Sequence, residues 1–244
     1  MNLIIVVTIL AGFSWLELVL LLAYAFLPRQ SVKKITLVLE EKAINLIFAM
    51  FFAYRGFKVK FSNLAGKLPD RFIILANHQS LLDIPILMHL MPKGMPARFV
   101  AKQELAWGIP LISMLLRTAG HGLVRRKGDA LQAMRSVTSM AKRCKRDRMI
   151  PAVFPEGTRS RTGELGVFHS AGFRKILEMD SLPILVAAVD GGMQVAKLKG
   201  FFANFGKTPY SVTFLGVLPP PANKREALAA LELSRKMIGD YLGK

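Results

Sequence analysis

A histidine stands five residues ahead of an acid where a run of strand-forming aliphatics ends: Ile74-Leu75-Ala76, then Asn77-His78-Gln79-Ser80, then Leu81-Leu82-Asp83. Two readings of this interruption compete. Ser80, with Asp83 three residues on, has the form of a helix N-terminal capping box, and punctuation between a strand and a helix accounts for both residues. It leaves His78 unexplained. On a continuous helix residues five apart point roughly 140° apart, so imidazole and carboxylate meet only if His78 lies in a loop that folds back on the first helical turn. In that arrangement the carboxylate fixes the imidazole tautomer and leaves the second ring nitrogen free as a general base. Ser80 as the nucleophile of a Ser-His-Asp triad is the weaker alternative, because its position suits a cap.

A second stretch, Val153-Phe154-Pro155-Glu156-Gly157-Thr158-Arg159-Ser160-Arg161, leaves another apolar run. Small residues free backbone N–H groups and a guanidinium clamps phosphate in two-pronged fashion, so Gly157, Thr158, Arg159 and Arg161 suit an anionic ligand. An ordinary turn with solvated arginines is the competing reading. Glu156 does not belong in a pure anion cradle; it pairs with an arginine or accepts a hydrogen bond from a substrate hydroxyl.

The elements that must position these stretches alternate. Strands are expected at 57–62, 71–77, 97–102, 121–126, 149–155, 183–189 and 211–217, with helices after most of them and a last amphipathic helix over 224–242. The segment 129–147 carries apolar residues at Leu131, Met134, Val137, Met140, Ala141 and Cys144, a helical period with the cations elsewhere. Such alternation predicts an α/β fold, a mixed but largely parallel sheet flanked by helices, with working residues on the loops that leave the strands.

Charge and hydropathy set the surroundings. The chain has 244 residues, 52% of them hydrophobic, and 34 Lys and Arg against 16 Asp and Glu, a formal charge of +18. Nine cations fall between Arg125 and Arg148. Anionic partners follow: phospholipid or an acidic carrier protein. Nucleic acid does not, since no aromatics interleave the basic runs. Between Leu3 and Leu27 only Glu17 and Tyr24 are ionisable, a stretch without a basic n-region and too long for a signal peptide. An ionised Glu17 at mid-membrane costs about 2.5–3.5 kcal/mol. With a second apolar stretch at 43–54 after a basic turn, the expectation is a membrane-associated two-helix hairpin lying in one leaflet over residues 1–56, followed by an α/β domain over 57–244. The single cysteine, Cys144, excludes a disulfide within the chain, and the four histidines lack metal-ligand spacing.

The two chemical stretches together resemble the glycerolipid acyltransferases, whose N-H-x-x-x-x-D and F-P-E-G-T-R-S motifs they match. The likeness is nearest to the bacterial 1-acyl-sn-glycerol-3-phosphate acyltransferases. Lys102-Gln103-Glu104-Leu105 resembles a further K-x-E-L element, Leu123-Val124-Arg125-Arg126 an arginine-bearing strand, and Leu182–Val189 a late apolar-proline motif. Two positions depart from the family pattern: Arg125, where an acid is common, and Ala187, where a second proline is.

The resemblance implies an enzyme that moves an acyl chain from acyl-CoA or acyl-carrier protein to the sn-2 hydroxyl of lysophosphatidic acid, giving phosphatidic acid. It implies His78 as base and Asp83 as its orienting acid. Arg159, Arg126 and Lys102 would hold the acceptor phosphate, with Glu156, Gly157 and Thr158 shaping the glycerol end. It implies no metal and no bound cofactor, and work at the cytoplasmic face of the cell's inner membrane. Two alternatives stay open: an acyltransferase for glycerol 3-phosphate or another lysophospholipid, and a non-enzymatic basic scaffold that binds membranes.

Overall fold

The computed structural model describes residues 2–125, 129–160, 162–196, 207 and 209–243. Two long helices come first, α1 (Asn2–Phe26) and α2 (Arg29–Arg55), reversing at Leu27-Pro28. Phe13, Leu20 and Ala23 of α1 form a buried seam with Val32, Leu39 and Ala43 of α2. Gly12 permits the approach, since a methyl group there would sit 3.3 Å from Leu46. The outward face of α1 stays apolar, with Trp15, Leu18, Leu21 and Leu22 exposed. Among the described residues α1 is the one helix long and apolar enough to cross a membrane, over Val7–Phe26 at a mean hydropathy of 2.0.

The hairpin expected from the sequence forms, but its second helix faces protein more than the sequence suggested. Ala43 is buried against α1, and Phe48 and Phe51 pack on the sheet. The helix stops at Gly56, in the left-handed conformation at φ 62°, whose N–H returns to Phe52.

Seven strands follow: β1 (Val59–Asn63), β2 (Ile73–Ala76), β3 (Ala97–Lys102), β4 (Gly122–Val124), β5 (Ile150–Val153), β6 (Ile184–Asp190) and β7 (Tyr210–Leu218). They form one sheet in the order β1-β7-β6-β2-β5-β3-β4. All neighbours are parallel except β6 and β7, which are antiparallel. The mixed, largely parallel sheet expected from the alternation is therefore present. Its central strands are buried on both faces, which is why they read as unbroken aliphatic runs.

Alternation along β2 assigns the two cores. Ile73 and Leu75 face a layer made by α5 (Ala130–Asp147), α6 (Ser170–Met179) and α7 (Lys224–Leu242). Ile74 and Ala76 face the end of α2 and α3 (Asp83–Leu90). A further short helix, α4 (Ile112–Thr118), contributes Met114 and Leu115 to the hairpin seam. Cys144 points from α5 into the first core, and burial pushes its thiol up to about 12, so it carries no nucleophile.

A buried ionic cluster ties the hairpin to the sheet. Glu40 of α2 accepts from Arg98 of β3 at 2.9 Å and meets His121, just before β4, at 3.1 Å. Arg98 is fully buried, and its Nε and Nη2 have no protein partner among the described residues. Burial pushes His121 below its ordinary pKa, against the pull of the Glu40 carboxylate. Glu40 is thus the counter-charge of a guanidinium that has no route to water. Replacing it with alanine is expected to cost about 3–5 kcal/mol in denaturation of the detergent-solubilised chain. A loss no larger than the roughly 0–1 kcal/mol of an exposed pair would mean that water reaches Arg98.

Candidate active site

Strands β5, β2 and β6 lie side by side and parallel, so the loops leaving their C-terminal ends emerge together. The loop after β2 contains His78 and is held from both flanks. On one side the Asn77 amide donates to the Val189 carbonyl at 2.8 Å and accepts its N–H at 2.7 Å, clasping the end of β6 as another strand residue would. Gln79 Oε1 accepts from Gly192 at 2.9 Å in the loop after β6. On the other side the His78 N–H donates to Glu156 Oε1 at 2.8 Å, and Ser160 N–H donates to the His78 carbonyl at 2.8 Å. The histidine backbone is gripped by the loop after β5.

The side chains then meet. His78 Nδ1 lies 2.6 Å from Asp83 Oδ2, and the same oxygen accepts the N–H groups of Gln79 at 2.7 Å and Ser80 at 2.9 Å. Asp83 is the first residue of α3 and fully buried, so its charge also meets the positive end of that helix. The fold-back that the five-residue spacing demanded is the one found. The capping box is realised in one direction only: Asp83 reaches back to Ser80, while the Ser80 hydroxyl accepts from Leu82 at 3.3 Å. Ser80 makes no hydrogen bond to His78 among the described residues, which removes the geometry of a serine nucleophile.

Phe154 lies flat against the His78 ring, centroids 4.1 Å apart and planes 12° apart, and itself stacks on Phe99. The imidazole is therefore fixed by a hydrogen bond in its plane and an aromatic wall on one face. Its Nε2 has no protein partner among the described residues. A neutral imidazole held in this way, with Nδ1–H on the carboxylate, presents a free lone pair to a ligand hydroxyl.

The remaining sequence candidates divide. Glu156 is buried, and both of its oxygens are engaged by backbone: Oε1 by His78 and Oε2 by Gly166 at 3.1 Å. Burial raises its pKa, and those two N–H groups oppose the rise. It pairs with no arginine among the described residues, unlike one of the two roles read from the sequence. Gly157 ends a turn closed by its N–H to the Phe154 carbonyl at 3.0 Å, with φ 64°; it and Thr158 are exposed at the loop tip. Arg159 is half-buried and spends one N–H on the Ala196 carbonyl at 3.2 Å, which leaves the rest of its fork free of protein partners among the described residues. Lys102 closes β3, two strands from β2, a separation of about 10 Å. Arg126 and Arg161 fall outside the described residues.

One buried residue escaped the sequence reading. Tyr210, the first residue of β7, donates its phenol proton to Asp83 Oδ1. Nothing in Lys207-Thr208-Pro209-Tyr210-Ser211 marks it, since the contact joins residues 127 apart. Among the described residues no three His, Cys, Asp or Glu side chains come together as metal ligands.

The comparisons with known proteins follow the same residues. A structure of PlsC from Thermotoga maritima, described as a 1-acyl-sn-glycerophosphate (LPA) acyltransferase, superposes with a TM-score of 0.67 over all of this chain and 93% of its own, at 21% identity, a likeness of fold. A 1-acyl-sn-glycerol-3-phosphate acyltransferase of Cocos nucifera is 36% identical over 121 residues, which is 50% of this chain and 38% of the relative. One from Limnanthes douglasii is 34% identical over 153 residues, 63% of this chain and 50% of the relative. The chain spans about half the length of the curated relatives it matches, or less. The family model described as Acyltransferase matches residues 58–189, from the first strand through the loops that hold His78, Asp83 and Glu156 to the end of β6, and the chain belongs to that family.

Proposed function

We propose that the chain transfers an acyl group from a thioester donor to the free sn-2 hydroxyl of lysophosphatidic acid, giving phosphatidic acid. The observation that carries this reading is the 2.6 Å pairing of His78 with buried Asp83 at the edge where three strand-end loops converge. The names of the relatives, 1-acyl-sn-glycerol-3-phosphate acyltransferases, support the acceptor.

The chemistry follows from one free nitrogen. Nε2 of His78 takes the proton of the acceptor hydroxyl as its oxygen attacks the thioester carbonyl carbon. The C–O bond forms, the C–S bond breaks, and the leaving thiolate takes the proton back from the imidazolium. Asp83 stabilises that imidazolium without itself being protonated. Arg159, with N–H groups to spare, and Lys102 hold the acceptor phosphate, and Arg126 completes the set. Gly157 and Thr158 form the exposed rim over the glycerol, and Glu156 braces the histidine backbone. Acyl-carrier protein and acyl-CoA are both suitable donors, and the +18 charge suits an acidic carrier as well as anionic lipid. The apolar face of α1 keeps the enzyme at the cytoplasmic face of the inner membrane, where a lysophospholipid resides.

The test is mass-spectrometric product analysis on the full chain in lipid, with lysophosphatidic acid, other lysophospholipids and glycerol 3-phosphate offered together and both donors supplied. Phosphatidic acid is the expected product. Another acylated product would reassign the acceptor, and no transfer from folded protein would leave a membrane-binding scaffold. His78→Ala is expected to lower the rate at least about a hundredfold while vesicle binding is unchanged. A rate near that of the parent would sink the base assignment.

Glu156→Gln gives an independent check on the brace. Glutamine keeps one acceptor but turns an NH2 group toward a backbone N–H, leaving two donors face to face. A tenfold to hundredfold fall in kcat is expected, from a misplacement of the histidine loop by a fraction of an ångström to about 1 Å. Parental kcat in that variant would mean that the loop holds its shape without the carboxylate.

A further inference from the structure

We propose that Tyr210 is a positioning residue for the His78–Asp83 pair, holding the carboxylate in the one rotation that keeps Oδ2 on the imidazole. The proposal rests on His78 acting as the base. Three donors converge on Oδ2: the imidazole and the N–H groups of Gln79 and Ser80. The partner of Oδ1 among the described residues is the Tyr210 phenol. Carboxylate rotation is intrinsically soft, with broad, roughly two-fold preferences rather than sharp wells. Without a donor on Oδ1, a buried ionised oxygen would be unsatisfied, and the group would turn to share the remaining donors.

The sheet topology explains why the donor comes from so far along the chain. Strand β7 runs antiparallel to β6, so its first residues lie beside the last residues of β6, at the edge where the catalytic loops emerge. Tyr210 is held there by its pairing with Val59 of β1 and by Phe57, whose ring meets it edge-on at 6.0 Å. The ring is 1% exposed. Burial and the adjacent Asp83 charge push the phenol well above its ordinary pKa, so it remains a donor throughout the working range. Space is closed as well: a methyl group on Gly192 would lie 2.9 Å from the Tyr210 hydroxyl and 2.8 Å from Gln79 Cβ.

Tyr210→Phe removes one oxygen and keeps the ring. It is expected to lower kcat roughly ten- to hundredfold, the effect of losing one hydrogen bond to a charged group, with KM for lysophosphatidic acid within about twofold of the parent. The acidic limb of its pH–rate profile is expected to move to lower pH, because a carboxylate turned away from the imidazole stabilises imidazolium less strongly. The other ionisable group coupled to the pair, Glu156 from the loop after β5, is unchanged in this variant. Gly192→Ala, which keeps the phenol and displaces it, is expected to reproduce the fall in kcat. Parental kcat in Tyr210→Phe, or a fall with a superposable pH profile, would overturn the proposal. His78→Ala run in parallel separates the two failures. If it is inactive while Tyr210→Phe is parental, the tyrosine role falls alone. If it too is active, the base assignment falls and the positioning role with it.

Discussion

A carboxylate shut off from water has to be surrounded by donors, and the neighbourhood of Asp83 is arranged around that demand. Its donors arrive from three places: its own loop through Gln79 and Ser80, the imidazole of His78, and β7 through Tyr210. Each requirement constrains something larger. The loop N–H groups can reach Asp83 only if the acid opens α3, which fixes where β2 stops and the helix starts. The phenol can reach it only if a strand begins at the edge where the His78 loop emerges, which in a sheet of parallel neighbours needs one antiparallel step. The orientation of the His78 imidazole is then a consequence of satisfying the acid.

The same logic operates a second time at the junction with the N-terminal hairpin. Arg98 sits in β3 with no exposed surface, and its counter-charge is on α2, so the sheet and the hairpin share one ionic cluster. Phe48 and Phe51 add apolar contact with the core that holds Ile74 and Ala76 of β2. A helix that carries an ion pair and two aromatic rings of the core is part of the folded body as well as a neighbour of α1. The apolar seam between α1 and α2 is thereby joined, through α2, to β3.

Much of this was legible in the sequence because the relevant interactions are local. The strand β3 at 97–102 and the last helix at 224–242 have the boundaries their patterns suggested, since each is set by a run of aliphatics or an amphipathic period. The His78–Asp83 contact was legible for a similar reason: five residues and one loop-to-helix transition determine it. What was not legible depends on chain segments far apart. Tyr210 lies 127 residues from its acceptor, Asn77 lies 112 from Val189, and Glu40 lies 81 from His121. Glu156 shows the limit from the other direction. Its identity fits both a ligand for substrate and a brace for backbone, and the choice between them turns on where Gly166 and His78 lie.

Two constraints of different kind act on the imidazole, and their combination explains the apolar residue that opens the second motif. The Asp83 hydrogen bond fixes the position of Nδ1 but leaves the ring free to rock about that contact. Phe154, stacked at 12° and 4.1 Å, removes the rocking by covering one face of the ring. It can do so because β5 is adjacent to β2 and its chain continues straight off the strand into Phe154-Pro155. Ring plane and ring position together determine the direction in which Nε2 points. In the reaction proposed above, preorganisation of this sort would spare the imidazole any reorientation in the transition state. The two motifs, separated by some seventy residues, therefore act on a single ring: one supplies its charge partner and the other its plane.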